Sequence, residues 1–571
     1  MRRLLLTILF GITAISAIAQ SSINLQLEDN FLHLPVSYEE EDQVKLELVI
    51  NGQLIRDFDI FLPDSDPDFW VFLDINQFKG KKATLRSTDG EEKTGLELVY
   101  QSDDRTYLDN VYQEKLRPQI HFSTMRGWIN DPNGLVYYDG EYHLFYQHNP
   151  YGYEWGNMHW GHAVSTDLVH WEQLPEALYP DDVGVCFSGC VVIDYDNTSG
   201  FKTGDEEVMV AIYTSTFFPD EAQEKAGMKV MERQSLAYSN NRGRTWTKYE
   251  KNPVIGDRSE ELGSGNDRDP NVFWHEPTQK WVMILFERIG LSIFTSDNLK
   301  EWTYESHIEP YWECPELFEL QVDDDPNQTR WVIYDGGGDY VIGTFDEKRF
   351  QVETGPHTYF EGDMFAAQTF ENIPEADGRQ IQIGWATIPS PGMPFNMMMG
   401  FPTELTLRTT QNGIRMFNEP VSEISELHTQ SNTYERLTVD EANEKLRDAS
   451  SESLHLKFEV ESINVMWYGL IVGGDNISYT IRTNSFMFND EEKVFKYSPD
   501  RPSKRISYEI IVDRTSIEVF VNQGHFTMVL PRNLDSDKQG VKFWTRNGED
   551  LAIHNLEIHE MESIWSNKEK K

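Results

Sequence analysis

Residues 128–146 read Trp-Ile-Asn-Asp-Pro-Asn-Gly-Leu-Val-Tyr-Tyr-Asp-Gly-Glu-Tyr-His-Leu-Phe-Tyr. Residues 135–138 and 142–146 are aromatic and aliphatic, and Asp139-Gly140 lies between them. An Asp-Gly pair supplies the two positive-φ positions of a tight hairpin, so this stretch predicts two short paired strands. The same texture runs from about 116 to 410: brief aromatic-rich strands separated by turn residues. Three segments share one plan: Ser165-Thr166-Asp167-Leu168-Val169-His170-Trp171, Ser239 to Trp246, and Ser296-Asp297-Asn298-Leu299-Lys300-Glu301-Trp302. In each, a Ser is followed by Asp or Asn, a turn and a Trp, and a strand such as Leu291-Ser292-Ile293-Phe294 leads in. An approximate repeat of several strands and one turn predicts propeller blades. Propeller loops converge at one end of a central channel, so residues far apart in sequence meet there.

On the N-terminal side, Val44-Lys45-Leu46-Glu47-Leu48-Val49-Ile50 meets Asn51-Gly52 and then Leu54 to Ile60, another hairpin signal. Residues 24–112 read as a small β-domain, with the polar run Gln101 to Asp109 as linker. Residues 1–19 read as a secretory signal peptide: Arg2 and Arg3, an apolar run from Leu4 to Ile15 too short to span a bilayer, and the cleavage site Ala17-Ile18-Ala19. That predicts export to the periplasm or the exterior, with no stable membrane insertion after cleavage. On the C-terminal side, residues 425–562 carry longer alternating strands, such as Ile517-Glu518-Val519-Phe520-Val521, and predict a β-sandwich. A short helix is expected within Glu435 to Arg447, and the last residues, 567–571, are expected to fray. The fold class is all-β: a small N-terminal β-domain, a propeller over 116–415 and a sandwich over 425–562.

The 571 residues include 15 Trp, 25 Tyr and 32 Phe, which excludes wholesale disorder. The 95 acidic residues against 50 basic ones, net −45, exclude nucleic acid and an anionic membrane as partners, because phosphate recognition needs a basic face. Three cysteines, Cys186, Cys190 and Cys314, do not make a disulfide framework, and no spacing resembles a zinc site. No cofactor and no metal are expected, and oligomeric state is not legible.

Three acidic positions stand out. Asp131 is presented by the turn residues Pro132 and Gly134. Asp269 lies in Arg268-Asp269-Pro270, where the neighbouring Arg268 is expected to hold the carboxylate ionised. Glu313 precedes Cys314-Pro315 and follows Tyr311 and Trp312, an aromatic setting that would raise a carboxyl pKa as a general acid needs. Each alone is also what an ordinary turn or surface ion pair looks like. Together, three acids on three blade segments fit glycoside hydrolysis, in which one carboxylate attacks and one carboxylic acid protonates the leaving group.

These motifs resemble glycoside hydrolase family 32, the β-fructofuranosidases, which include invertases, inulinases, levanases and fructan exohydrolases. The resemblance rests on WINDPNG from Trp128, FYQHNP from Phe145, WGNMHWGHA from Trp155, FSG from Phe187, RDP from Arg268, EC from Glu313, FAAQTF from Phe365, IGW from Ile383 and DRTSIEVF from Asp513, in that order. It implies a five-bladed propeller followed by a sandwich. It also implies Asp131 as nucleophile, Glu313 as acid/base and Asp269 as transition-state stabiliser with Arg268 beside it. Asn130, Gln147, Trp155, Phe187, Ser188 and Trp385 would line a fructose pocket, and Cys314 would modulate Glu313 without being a nucleophile. The implied partner is a fructan or fructo-oligosaccharide: levan or inulin ahead of sucrose. The N-terminal β-domain resembles the extra modules of some bacterial fructan hydrolases. A fructosyltransferase on the same scaffold and a non-catalytic sugar-binding propeller are the alternatives. The Ser239 to Trp246 segment also resembles the Asp-box of sialidases, but Asn241 replaces the Asp and there is no arginine cluster.

Overall fold

The computed structural model describes residues 21–88, 94–262, 266–449, 452–462, 465–489, 493–496, 505–533, 540–546 and 551–566. The expected signal peptide, 1–19, and the expected frayed tail, 567–571, lie outside these residues. The chain divides into two units, with the division between Asp109 and Asn110.

In the first unit, Val44–Ile50 and Gln53–Ile60 form the antiparallel pair expected around Asn51-Gly52. The φ values there, 52° and 79°, are the left-handed pair that such a turn requires. A four-stranded sheet places Ser22–Gln26 beside Lys82–Ser87 and then this hairpin, and a three-stranded sheet has the order Phe69–Asp74, Phe31–Val36, Tyr100–Ser102. Alternation in Val44–Ile50 turns Val44, Leu46, Leu48 and Ile50 inward, where they are buried. The unit ends three residues before the expected position 112.

The second unit opens with antiparallel four-stranded meanders. The first is Gly127–Tyr138, Glu141–Asn149, His159–Ser165 and Glu172–Leu178. The second is Val185–Asp194, Val208–Phe217, Met231–Ser239 and Thr247–Lys248. The third is Asp267–His275, Lys280–Glu287, Gly290–Ser296 and Thr303–Ile308. The fourth is Glu316–Val322, Asp325–Tyr334, Asp339–Phe345 and Phe350–Thr358. A further set pairs Met364–Thr369, Gln380–Ala386, Thr403–Thr410 and Gly413–Pro420, and joins the fourth through a parallel contact between Val322 and Leu407. The strand Gly413–Pro420 runs through the expected boundary at 415, because its whole length pairs with Thr403–Thr410.

The repeated Ser–Asp/Asn–Trp segments are one turn used three times. Asp167 accepts from the backbone N–H of Val169 and His170, and its own N–H donates to Ser165 Oγ. Asn298 repeats this with Lys300, Glu301 and Ser296, while Asn241 accepts from Thr245 N and donates its N–H to Ser239 Oγ. Leu168, Arg242 and Leu299 take φ of 66°, 56° and 63° there. Each turn joins the third strand of its meander to the fourth.

The C-terminal region has a seven-stranded sheet with the order Phe360–Gly362, Phe526–Pro531, Ser516–Val521, Arg505–Val512, Leu454–Ser462, Leu551–Met561, His428–Thr438. A five-stranded sheet faces it, and Leu456, Phe458, Leu470, Phe486, Ile510, Val519 and Phe543 fill the shared core. The expected helix is Val439–Lys445, opened by a capping box in which Thr438 and Glu441 satisfy each other's backbone N–H. The sandwich is fastened to the segment that leads into the first meander by Asp513, which accepts from Gln119 N at 2.7 Å, Ile120 N at 3.0 Å and His121 Nδ1 at 2.8 Å. Burial works against a charge on His121, but Asp513 and Glu518 outweigh it and push the imidazole up to about 10. A buried imidazolium between two carboxylates therefore clamps the two regions. Among the described residues, no helix is long and apolar enough to cross a membrane.

Candidate active site

Apart from Trp155, which lies in the connection between Glu141–Asn149 and His159–Ser165, each expected site residue of the first three meanders sits on, opposite or just before a defect in a strand ladder. In Gly127–Tyr138 the pairing skips from Ile129↔His148 to Pro132↔Tyr146, so Asn130 and Asp131 together oppose Gln147. In Val185–Asp194 it skips from Cys186↔Ser215 to Gly189↔Tyr213, so Phe187 and Ser188 oppose Thr214. In Asp267–His275 it skips from Arg268↔Phe286 to Asn271↔Ile284, so Asp269 and Pro270 oppose Leu285. In Met364–Thr369 the same two-against-one step leaves Ala366 and Ala367 opposite Gly384, next to Trp385. Such bulges re-aim side chains that a regular pleat would send into the sheet faces. Asp269 and Ala366 have φ of 62° and 50°, and Cys314, just before the first strand of the fourth meander, has φ of 54°. Asp131 is therefore carried by a bulged strand, not by the free turn expected from Pro132 and Gly134. Asp269 likewise lies inside its strand.

The bulges bring Asp131, Ser188, Asp269, Cys314 and Gln368 to one cavity wall. Ser188 Oγ donates to Asp131 Oδ2 at 2.6 Å, and Asn130 Nδ2 donates to Asp131 Oδ1 at 3.1 Å. Trp128 Nε1 in turn donates to Asn130 Oδ1 at 2.9 Å, fixing that amide. Polar oxygens of Asp131 and Asp269 and the Cys314 sulfur lie within 4.8 Å of one another, a spacing that could also hold a metal ion. The Cys314 backbone N–H donates to Asp269 Oδ2 at 3.2 Å, and its thiol lies 3.5 Å from the same oxygen. The Asp269 N–H donates to Thr214 Oγ1 at 3.1 Å.

Glu313 joins this group through Arg268, whose Nε donates to Glu313 Oε2 at 3.0 Å and whose Nη2 binds the same oxygen. Arg268 lies farther from Asp269, at 3.7 Å, reaches Glu232 at 3.5 Å, and stacks over the Phe286 ring. Two expectations change here. Arg268 serves Glu313 more directly than it serves Asp269, because the bulge turns the adjacent carboxylate away from the guanidinium. Glu313 in turn faces an ion pair, not an apolar pocket: Trp312 is 53 % exposed and packs on Phe286.

Burial raises the Asp131 carboxyl above its ordinary range, Ser188 and Asn130 oppose that, and the charge of Glu313 adds to it. Burial also pushes Asp269 up to about 8, with Arg268 opposing and Asp131, Glu313 and Glu232 adding repulsion. Asp269 is thus not held ionised in the free protein. The Cys314 thiol is pushed far up by burial and the surrounding carboxylates, so it remains a thiol and not a nucleophile.

Around this centre, Trp155, 51 % exposed, meets Phe187 edge-on at 6.1 Å, and Phe218 joins both. Trp385 meets Trp128 at 6.1 Å, and its buried Nε1 has no hydrogen-bond partner. Gln147 is buried, and with the Asn133 amide oxygen turned toward it donates from both N and Nε2 at 3.0 Å. Glu232, Thr214 and Phe218 were not singled out from the sequence. Thr214 and Glu232 lie within strands and Phe218 just past the end of one, with no turn chemistry to announce them, and only the tertiary contact with Arg268, Asp269 or Trp155 marks them.

The chain matches the model of the glycosyl hydrolases family 32 N-terminal domain over residues 121–420 and that of the glycosyl hydrolases family 32 C terminal over 423–560. It is 38% identical to a levanase of Bacillus subtilis (strain 168) over 522 residues, covering 82% of this chain and 74% of that protein. It is 34% identical to an extracellular exo-inulinase of Aspergillus niger over 528 residues, covering 80% and 96% of the two chains. The crystal structure of exo-inulinase from Aspergillus awamori superposes with a TM-score of 0.69 at 29% identity, over 80% of this chain and all of that one.

Proposed function

The chain belongs to family 32 of the glycosyl hydrolases, and from that premise we propose that it is an exported enzyme cleaving β-fructofuranosidic bonds of levan- or inulin-type fructans with retention, on a five-bladed propeller formed by the meanders 127–420. The observation that carries this reading is the convergence of Asp131, Ser188 and Asp269 from three bulged strands onto one cavity, with Glu313 tied in by Arg268.

In the first step an Asp131 oxygen attacks the anomeric carbon of a terminal fructosyl unit while Glu313 gives its proton to the departing glycosidic oxygen. Ser188 and Asn130 hold Asp131 so that one lobe faces the sugar. Because Arg268 engages Oε2 of Glu313, Oε1 is the oxygen that carries the proton. Asp269 grips fructose hydroxyls and stabilises the positive charge that develops at the anomeric centre in the transition state. In the second step Glu313, now a carboxylate, takes a proton from water, which attacks the fructosyl–Asp131 ester and frees fructose. Trp155, Phe187 and Trp385 offer ring faces to the sugar. Export through residues 1–19 suits a polymeric substrate that does not cross a membrane.

The test is incubation of purified protein with levan, inulin and sucrose, with Asp131→Asn as the blank and chromatography of the products. Fructose alone means exo-cleavage, oligomers mean endo-cleavage, and longer chains mean transfer to a sugar hydroxyl. An early NMR spectrum should show β-fructose. Initial α-anomer, or release equal to the blank from every substrate, refutes the proposal.

A further inference from the structure

Three histidines of the sandwich take no part in this chemistry. His428, His455 and His559 stand on three adjacent strands of the seven-stranded sheet: the edge strand His428–Thr438, its neighbour Leu551–Met561, and Leu454–Ser462 beyond it. His455 and His559 are direct cross-strand partners, both buried, and His428 is half-buried. His428 Nε2 lies 3.0 Å from His455 Nδ1, and the His428 and His559 rings stack with centroids 4.1 Å apart. One ring nitrogen from each of the three lies within 4.8 Å of the others.

The groups behind these rings carry the argument further than the cluster alone. His455 Nε2 lies 2.9 Å from Glu509 Oε1, which Lys457 also engages at 2.9 Å. His559 Nε2 lies 3.2 Å from Glu557 Oε2, and its Nδ1 lies 2.8 Å from Ser431 Oγ. An imidazole that binds a metal through one nitrogen typically gives its other N–H to a carboxylate, which fixes the tautomer and strengthens the ligand. Two of the three rings have such a carboxylate.

We propose that His428, His455 and His559 form a binding site for a borderline divalent transition-metal ion, zinc(II) above all. Three imidazoles favour zinc, copper or nickel and disfavour calcium and magnesium, which take oxygen ligands. Zinc–nitrogen bonds of about 2.0–2.1 Å in a tetrahedron set ligand nitrogens about 3.3 Å apart. The His428–His455 pair already has nearly that spacing, and the His559 nitrogen, within 4.8 Å of the others, completes the set by turning toward the ion and giving up its contact with Ser431. Water takes the fourth position. The ion would pin the edge strand to the two strands beside it. No sequence spacing announces this site, because its ligands come from three separate strands and His559 lies more than a hundred residues beyond the other two.

The test uses full-length protein without a polyhistidine tag, stripped with chelator and titrated with zinc chloride by calorimetry, with thermal unfolding and fructose release measured in parallel. One zinc per chain, a rise of several degrees in melting temperature and unchanged turnover are expected. His428→Ala and His559→Gln should each weaken binding roughly tenfold or more while melting as the stripped wild type does. His428→Ala is the safer variant, since that ring is half-exposed. No uptake, or uptake by both variants as tight as that of the wild type, overturns the proposal. So does uptake that abolishes turnover and is lost in Cys314→Ser instead, because the ion would then sit among Asp131, Asp269 and Cys314.

Discussion

Asp267, the residue before Arg268, is 2 % exposed, and neither of its carboxyl oxygens accepts a well-formed hydrogen bond. Its cross-strand partner is Glu287, itself buried, and its backbone N–H is held by Glu232 Oε2 at 2.8 Å. Burial, then the charges of Glu287 and Glu232, push the Asp267 carboxyl up to about 7. An unfolded aspartate titrates near about 3.9. The folded chain therefore keeps a proton that the unfolded chain releases, and stability falls as pH rises from about 4 to about 7. Some three pKa units at about 1.4 kcal/mol each make a cost of about 4 kcal/mol above pH 7, an upper figure because side-chain relaxation and water entry reduce it. Asp267→Asn has the shape of the protonated form and no charge to lose. It should match wild type near pH 4 and gain up to that amount at pH 8. For a unit of about 460 residues with an unfolding entropy of about 2.1 cal/mol/K per residue, the gain is about 4 °C in melting temperature. Scanning calorimetry of both proteins at pH 4.5, 6 and 8 measures it. A difference that is the same at all three pH values, or a variant less stable at pH 8, refutes the reasoning.

Asp131→Asn should lower fructose release by roughly a thousand-fold or more while leaving the melting temperature within a degree or two, read by product assay and calorimetry. Glu313→Ala should lose about 10²–10⁴-fold on natural fructans but far less on a fructoside with an activated leaving group, and equal losses on both would remove its role as acid. Ser188→Ala deletes a hydrogen bond to ionised Asp131, which raises that pKa further; the acidic limb of the kcat/KM profile should move to higher pH by about one unit. Trp155→Ala should raise KM for oligosaccharides several-fold with kcat little changed, as expected for an exposed ring that binds ground state and transition state alike.

Local chemistry made part of this molecule readable. Asn51-Gly52 and Asp139-Gly140 specify their hairpins because few residue pairs tolerate two left-handed positions, and Asp139 and Gly140 indeed take φ of 48° and 86°. The Ser–Asp/Asn–Trp turns were visible for the same reason: a short side chain that caps the next backbone N–H groups leaves a mark in sequence. The bulges left none. Asn-Asp-Pro and Arg-Asp-Pro look like turns, and only the partner strand shows that they are ladder residues set out of step. Which carboxylate Arg268 engages was equally hidden, since adjacency in the chain favoured Asp269 and the fold favours Glu313. Glu232 and the histidine cluster depend on strand neighbours remote in the chain, which periodicity does not reach.

The bulges also bear on how such an enzyme changes over generations. A bulge is one surplus residue, so losing a single codon at 130–131, 187–188 or 269–270 restores a regular ladder while the pairing on either side persists. Activity can therefore vanish in one mutational step with the scaffold intact, which offers a short route to non-catalytic descendants. The converse holds for laboratory libraries: varying the two codons of a bulge together, with the opposing residue held fixed, explores new pocket chemistry at positions where the sheet has already given up its regular pairing.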